Sequence, residues 1–211
     1  MQTVPKPSPI LSIRRPSIAE EERFADIVRG WTPNHRVPSG PITTIATDGA
    51  FRRGAGGGGF AWVAEDASFG AGRALSRSSF HAELIAVDEA LRAQPQFTRI
   101  RLLVDCRQAL EAVAHVLARP PVRRERTDAI ERRLASIANA GAHREVALEW
   151  VRGHSGHPLN DAADRIAVLH RRSEAWGIER DVAAGLSRSI AREAAARFSS
   201  PAPLAELLSD R

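Results

Sequence analysis

Ile42-Thr43-Thr44-Ile45-Ala46-Thr47-Asp48-Gly49 places β-branched residues at five of its first six positions and then stops on a carboxylate followed by glycine. Such a run suits a pleated, half-buried strand. A second run, Arg99-Ile-Arg-Leu-Leu-Val-Asp-Cys106, ends the same way, on Asp105. Two parallel neighbours that both end on carboxylates bring those groups to one edge of a sheet. In open α/β folds that edge is where chemistry is placed.

The segments around these runs complete a pattern. Residues 52–59 form a turn with five glycines, 60–64 read as a second strand and 72–78 as a third. Short turns between successive strands make them antiparallel hairpins. Residues 80–93 read as a helix with Leu84, Val87 and Leu91 on one face. The 99–105 strand is apolar from Ile100 to Val104 apart from Arg101, as expected of a strand covered on both sides. Helices follow at 106–117, stopped by Pro120-Pro121, and at 123–140, ended by Gly141. A fifth strand at 146–152 alternates Val146, Leu148 and Trp150 against Ala147, Glu149 and Val151. Pro158 then opens a helix to about 171. The order βββ-α-β-α-α-β-α predicts an α/β fold. Its five-stranded mixed sheet has three antiparallel strands, then two parallel ones, with helices on both faces.

Residues 1–40 read as an extension: a Pro-rich start, a capping box at Ser17–Glu20, and a short helix with Phe24, Ile27, Val28 and Trp31 on one side. Residues 41–171 form the core domain. Residues 172–211 are a helical C-terminal extension whose Val182, Leu186 and Ile190 make an apolar stripe, followed by Pro201 and Pro203. Either extension could carry a protein partner or a dimer contact.

Composition narrows the functional classes. A net charge of +5 and an isoelectric point near 10.9 favour a polyanionic partner. The one cysteine, Cys106, excludes an intrachain disulfide and points to a reducing compartment. No apolar run approaches the ~20 residues of a membrane span, and no secretory leader is evident. The expectation is a soluble, cytoplasmic protein without membrane attachment.

Glu83, near the start of the first helix, and Asp161 or Asp164 in the last complete a set of acids facing the two strand ends. Singly, each has a plain reading: Asp48 as a turn former, Glu83 as a solvated first-turn charge, Asp105 as a helix cap. Together they do not. Like charges at ~4 Å repel by about 4 kcal/mol at an effective dielectric of ~20. Some must take up protons, or cations must bind. Oxygen ligands suit Mg²⁺, whereas Zn²⁺ would recruit His or Cys. Spacing alone does not choose between Asp161 and Asp164, which share a helix face. Nor does it decide whether His154, between glycines, is more than an exposed loop residue.

At Thr-Asp-Gly-Ala (47–50), Ala-Glu-Leu (82–84), Val-Asp-Cys-Arg-Gln-Ala-Leu (104–110) and Glu-Trp-Val-Arg-Gly-His-Ser-Gly-His-Pro-Leu-Asn-Asp-Ala-Ala-Asp (149–164) the chain resembles the type I ribonuclease H family. The resemblance covers about 41–171, and its last segment is the most specific. It implies a ribonuclease H-like fold and an endoribonuclease that hydrolyses the RNA strand of RNA–DNA hybrids, leaving a 5′-phosphate and a 3′-hydroxyl. It implies two Mg²⁺ ions, replaceable by Mn²⁺, on Asp48, Glu83, Asp105 and Asp164. His154 takes the place of a mobile-loop histidine that serves proton transfer or product release. His157 reads as a helix-start residue.

Candidate substrate contacts are Gly49, Ser79, Arg107, Arg123, Arg124 and Asn160. Arg119, Arg123, Arg124, Arg126, Arg132 and Arg133 make a basic stretch suited to phosphates. The chain departs from the family at Ser79-Phe80, where an Asn pair is common, and at Cys106, where serine is usual. Two other functions remain open: a related-fold DNA nuclease of transposase or resolvase type, and a non-catalytic nucleic-acid-binding module.

Overall fold

In the computed structural model, which describes residues 40–53, 57–118 and 128–200, strand β1 (Ile42–Phe51) lies at the centre of the sheet. The chain continues through β2 (Gly58–Ala64), β3 (Phe69–Ala74), α1 (Ser79–Ala93), β4 (Arg99–Val104), α2 (Arg107–Leu117), α3 (Ala129–Gly141), β5 (Glu145–Trp150), α4 (Pro158–Arg172) and α5 (Arg180–Ser199). Sheet order is β3-β2-β1-β4-β5. β1 pairs antiparallel with β2 and β2 with β3, whereas β4 runs parallel to both β1 and β5. This is the expected mixed sheet. Expectations for 1–39, 54–56, 119–127 and 201–211, including Arg119, Arg123, Arg124 and Arg126, lie outside the described residues.

The third strand begins three residues earlier than its sequence suggests and ends at Ala74. The cause is a tight turn. The Ala64 amide donates to the Ser68 carbonyl (2.8 Å), Asp66 Oδ1 accepts from the Ser68 amide (2.8 Å), and Ala67 takes φ 68°. Pairing can therefore resume at Phe69. Glycines on β3 then admit the rings opposite: a Cβ at Gly70 would stand 2.4 Å from Trp62 Nε1, and one at Gly72 3.0 Å from Phe60.

Strand alternation divides the core into two layers. Ile45, Ile100, Leu102 and Val104 face Leu84, Val87, Leu91, Val113 and Ile137 of the first three helices. Ala46, Ala61, Val63 and Leu103 face Leu159, Ala163, Ile166 and Ala191 on α4 and α5. At about 25 cal/mol per Å² of apolar area, each such layer holds the strand ends in place more firmly than any surface ion pair.

The third helix differs from its sequence reading. α3 starts at Ala129, because Asp128 caps it by accepting from the Ile130 and Glu131 amides at 3.0 and 3.2 Å. Arg133 on α3 pairs with the fully buried Asp88 of α1, so it ties two helices together instead of facing a phosphate. On α5 the buried stripe is Ala183, Ser187, Ala191 and Ala194, while Val182 and Leu186 are 52% and 47% exposed. Small side chains let α5 approach α4 closely, and His170 Nε2 meets Ser187 Oγ at 3.1 Å between them. Among the described residues no helix is long and apolar enough to cross a membrane.

Candidate metal centre

The parallel register sets Thr47 of β1 beside Val104 of β4, so Asp48 and Asp105 are the next residues at the same end of neighbouring strands. Glu83 comes from the second turn of α1. One carboxylate oxygen from each of Asp48, Glu83 and Asp105 lies within 4.8 Å of the others. Asp48 and Glu83 are each 7% exposed.

Gly49 makes this convergence possible. A Cβ on it would stand 2.2 Å from both the Ala82 carbonyl carbon and the Glu83 amide nitrogen. Only a residue without a side chain lets α1 come this near β1. Gly49 was expected at the substrate; its visible role is to let Glu83 reach the strand ends. Gly49→Ala is expected to lower the melting temperature by several degrees, since overpacking costs roughly 1–3 kcal/mol, and to weaken divalent-ion binding. Thermal melts with and without Mn²⁺ check both.

The electrostatics follow from burial and crowding. Burial first, then Asp105 and Asp164, push the Asp48 carboxyl up to about 8. Burial, then Asp48 and Asp105, raise Glu83 well above the usual carboxylate range, against a lowering hydrogen bond from the Gly49 backbone. Asp164, on α4, stands outside the 4.8 Å set. Burial raises its carboxyl, as do Asp105 and Asp161, while His154 opposes. Its Oδ2 is 3.7 Å from His154 Nδ1. The structure thus puts Asp164, not Asp161, beside His154. His154 is 84% exposed at the side chain and takes φ 54°, in the left-handed region, three residues before the His157 cap of α4.

Around Asp105 is a set of supports that the sequence did not mark as such. Asn160 Nδ2 donates to Asp105 Oδ2 (3.2 Å), and Asn160 is only 1% exposed. Asn160, expected at the substrate, is thus buried against Asp105. Trp150 Nε1 donates to the Asp105 carbonyl (2.9 Å), and the Arg107 guanidinium stacks over the Trp150 ring at 4.3 Å. A Cβ at Gly153 would stand 2.9 Å from Asp105 Oδ2. His157 caps α4, its Nδ1 accepting from the Asn160 amide at 3.4 Å, consistent with a helix-start role. Asn160→Ala should weaken Mn²⁺ affinity by roughly 10–100-fold, as loss of an outer partner of a ligand does. Calorimetric titration of Mn²⁺ reads this directly.

Of the remaining expected contacts, Ser79 is exposed on the first turn of α1, four residues before Glu83 and on the same helix face. Ser78 is committed to capping, its Oγ accepting from the His81 amide at 3.1 Å. Phe80 packs into the core. Arg107 is exposed beside Asp105, whereas Arg123 and Arg124 lie outside the described residues.

The donor set fits a hard divalent ion. Glu83 Oε2 is buried with no hydrogen-bond partner, and the three converging groups are all carboxylates, which suit Mg²⁺ or Mn²⁺. An ion at this point would offset the mutual repulsion that helps to raise Asp48 and Glu83.

Known proteins share this arrangement of sequence. Ribonuclease H of Hahella chejuensis is 29% identical over 134 residues, covering 59% of this chain and 90% of that protein. Ribonuclease H of Verminephrobacter eiseniae is 32% identical over 139 residues, covering 58% and 86%. Ribonuclease H of Methylorubrum extorquens is 32% identical over 150 residues, covering 65% and 64%. The profile of the family described as RNase H matches residues 41–171, a stretch that holds every strand of the sheet and all four acids, and the chain belongs to that family.

Proposed function

We propose that the protein is an endoribonuclease that hydrolyses the RNA strand of RNA–DNA hybrids, leaving 5′-phosphate and 3′-hydroxyl ends. Residues 41–171 are its catalytic domain, with 1–40 and 172–211 as extensions. The observation that carries this reading is the approach of Asp48, Glu83 and Asp105 to within 4.8 Å at one sheet edge. The names of its relatives support it. A lone cysteine is compatible with action in the cytoplasm.

Asp48, Glu83, Asp105 and Asp164 would hold two Mg²⁺ ions, with Mn²⁺ able to substitute. Such a pair supplies activation of the attacking water and neutralises charge on the leaving oxygen. The chain's own residues do the rest. Asn160 and Trp150 fix Asp105, and Gly49 admits Glu83 to the strand ends. His154, exposed and 3.7 Å from Asp164, would carry a proton between solvent and the cleaved diester. Ser79 and Arg107 border the centre from the first turns of α1 and α2 and serve as substrate contacts. Serine at 79 can still exchange a hydrogen bond with a ribose 2′-hydroxyl, the group that separates RNA from DNA.

A digest with Mg²⁺ tests the proposal, using end-labelled hybrid beside single-stranded RNA, double-stranded RNA, duplex DNA and a duplex with one ribonucleotide. The expected result is cutting of the hybrid's RNA strand to 5′-phosphate ends. Cutting of duplex DNA in place of hybrid would assign a DNA nuclease. No cutting with either Mg²⁺ or Mn²⁺ would leave only a binding role.

A further inference from the structure

The hairpin from β1 to β2 carries positive charge on the flank of the acidic centre. Arg52 follows the last residue of β1 and its amide donates to the Gly57 carbonyl at 3.1 Å. Two residues on, Gly59 is pressed against α4: a Cβ there would stand 2.2 Å from the Ala167 carbonyl oxygen and 2.6 Å from the Arg171 amide nitrogen. The last turn of α4 is thereby seated on the hairpin, and Arg171 with it. Arg171 is only 9% exposed and forms no ion pair with any described residue. Burial lowers its pKa, and the charges acting on it, Arg172 and Arg52, have its own sign.

An arginine covered to this extent normally finds a counter-charge. Here the nearby charges repel it. Arg73, which also reaches the hairpin, is held by Glu174 and Arg172 stacks on Trp176, whereas Arg52 and Arg171 have no such tie among the described residues. A bound anion would satisfy them, and two guanidinium groups match the oxygens of a phosphodiester. The position suits a nucleic-acid backbone. Gly59 pairs with Ala50, two residues beyond Asp48 and one strand over, on the order of 8 Å away at ordinary strand spacings. A polyanion that must approach four acids also needs cationic contacts close by.

The geometry points to a phosphate-binding subsite formed by Arg52 and Arg171 at the base of the β1–β2 hairpin, which holds a backbone phosphodiester of the substrate beside the cleavage centre. It deepens the proposed function and rests on that reading for the identity of the strand it holds.

Fluorescence anisotropy of a labelled RNA–DNA hybrid, titrated with full-length protein at several salt concentrations without divalent ions, tests it apart from catalysis. Arg52→Gln, Arg171→Met and the double variant are compared with Arg188→Gln, an exposed arginine on α5 that removes the same charge elsewhere. The double variant is expected to bind about 10-fold more weakly, and the slope of log affinity against log salt should fall by about one for each phosphate it no longer neutralises. Arg188→Gln should leave the slope unchanged. Equal affinity and slope in wild type and double variant would overturn the subsite. If Arg171→Met does not fold by circular dichroism, the exposed Arg52→Gln carries the same test, with about a threefold loss expected and none overturning it. A wild type that binds hybrid but cleaves nothing defeats the proposed activity and leaves this comparison readable.

Discussion

Asp105→Asn should lower hydrolysis of a labelled hybrid by on the order of 10³-fold or more, with a melting temperature equal to or above that of wild type. The two outcomes have separate causes. An asparagine has the shape of the aspartate, so the β4 terminus and its Trp150 contact stay filled. Asn160 Nδ2, now bonded to Asp105 Oδ2, can keep an acceptor only if the new amide turns its oxygen that way. The amide nitrogen then faces Asp48 and Glu83, where it is a donor and binds no cation. Meanwhile a repelling charge has been removed from two buried neighbours that it helps to raise. Turnover and thermal melts on one preparation decide the matter. Activity close to wild type would remove Asp105 from the centre, and a large fall in melting temperature would make its role structural.

Much of this arrangement was legible because it is carried by strand register. The β-branched run to Asp48 and the apolar run to Asp105 each fix which residue comes last, and parallel pairing of Thr47 with Val104 makes the two ends coincide. Glu83 was legible from its place near a helix start. The supports of Asp105 were not. Asn160 bonds to a residue 55 positions away, and no local pattern records where α4 will dock. On α5, Val182 and Leu186 stay exposed while Ile190 and Phe198 pack on the second core layer beside buried alanines and Ser187, a division that side-chain size alone does not record. Arg133 was assigned to a basic surface because sequence cannot show the buried Asp88 that claims it. The tight turn at Asp66–Ser68 displaced the third strand for want of the glycine or proline that usually marks such a turn.

Without divalent ions, the protein should lose stability as the pH rises from about 5 to 8, and Mg²⁺ should restore more of it the higher the pH. Asp48 ionises at about 8 in the folded chain and at 3.8 when unconstrained. Between those values the folded state holds a proton that the unfolded state has shed, so raising the pH favours unfolding. The contribution is fully present below about 4 and is lost as the pH passes through about 8. Glu83 is shifted in the same direction and adds to the trend. One such proton corresponds to about 1.4 kcal/mol per pH unit, or roughly 3–5 °C per unit in a domain of this size. Other groups titrate as well, so the comparison is with Asp48→Asn, which cannot shed that proton. In a chelator, the variant should melt several degrees above wild type near pH 8, and the gap should close near pH 4. Cation binding needs the carboxylates ionised, so Mn²⁺ titrated at neutral pH should expel protons, seen as a binding enthalpy that varies with the ionisation heat of the buffer. A gap that stays constant across the pH range, together with a buffer-independent enthalpy, would mean that Asp48 is already charged in the folded protein and that the acids tolerate one another without a cation.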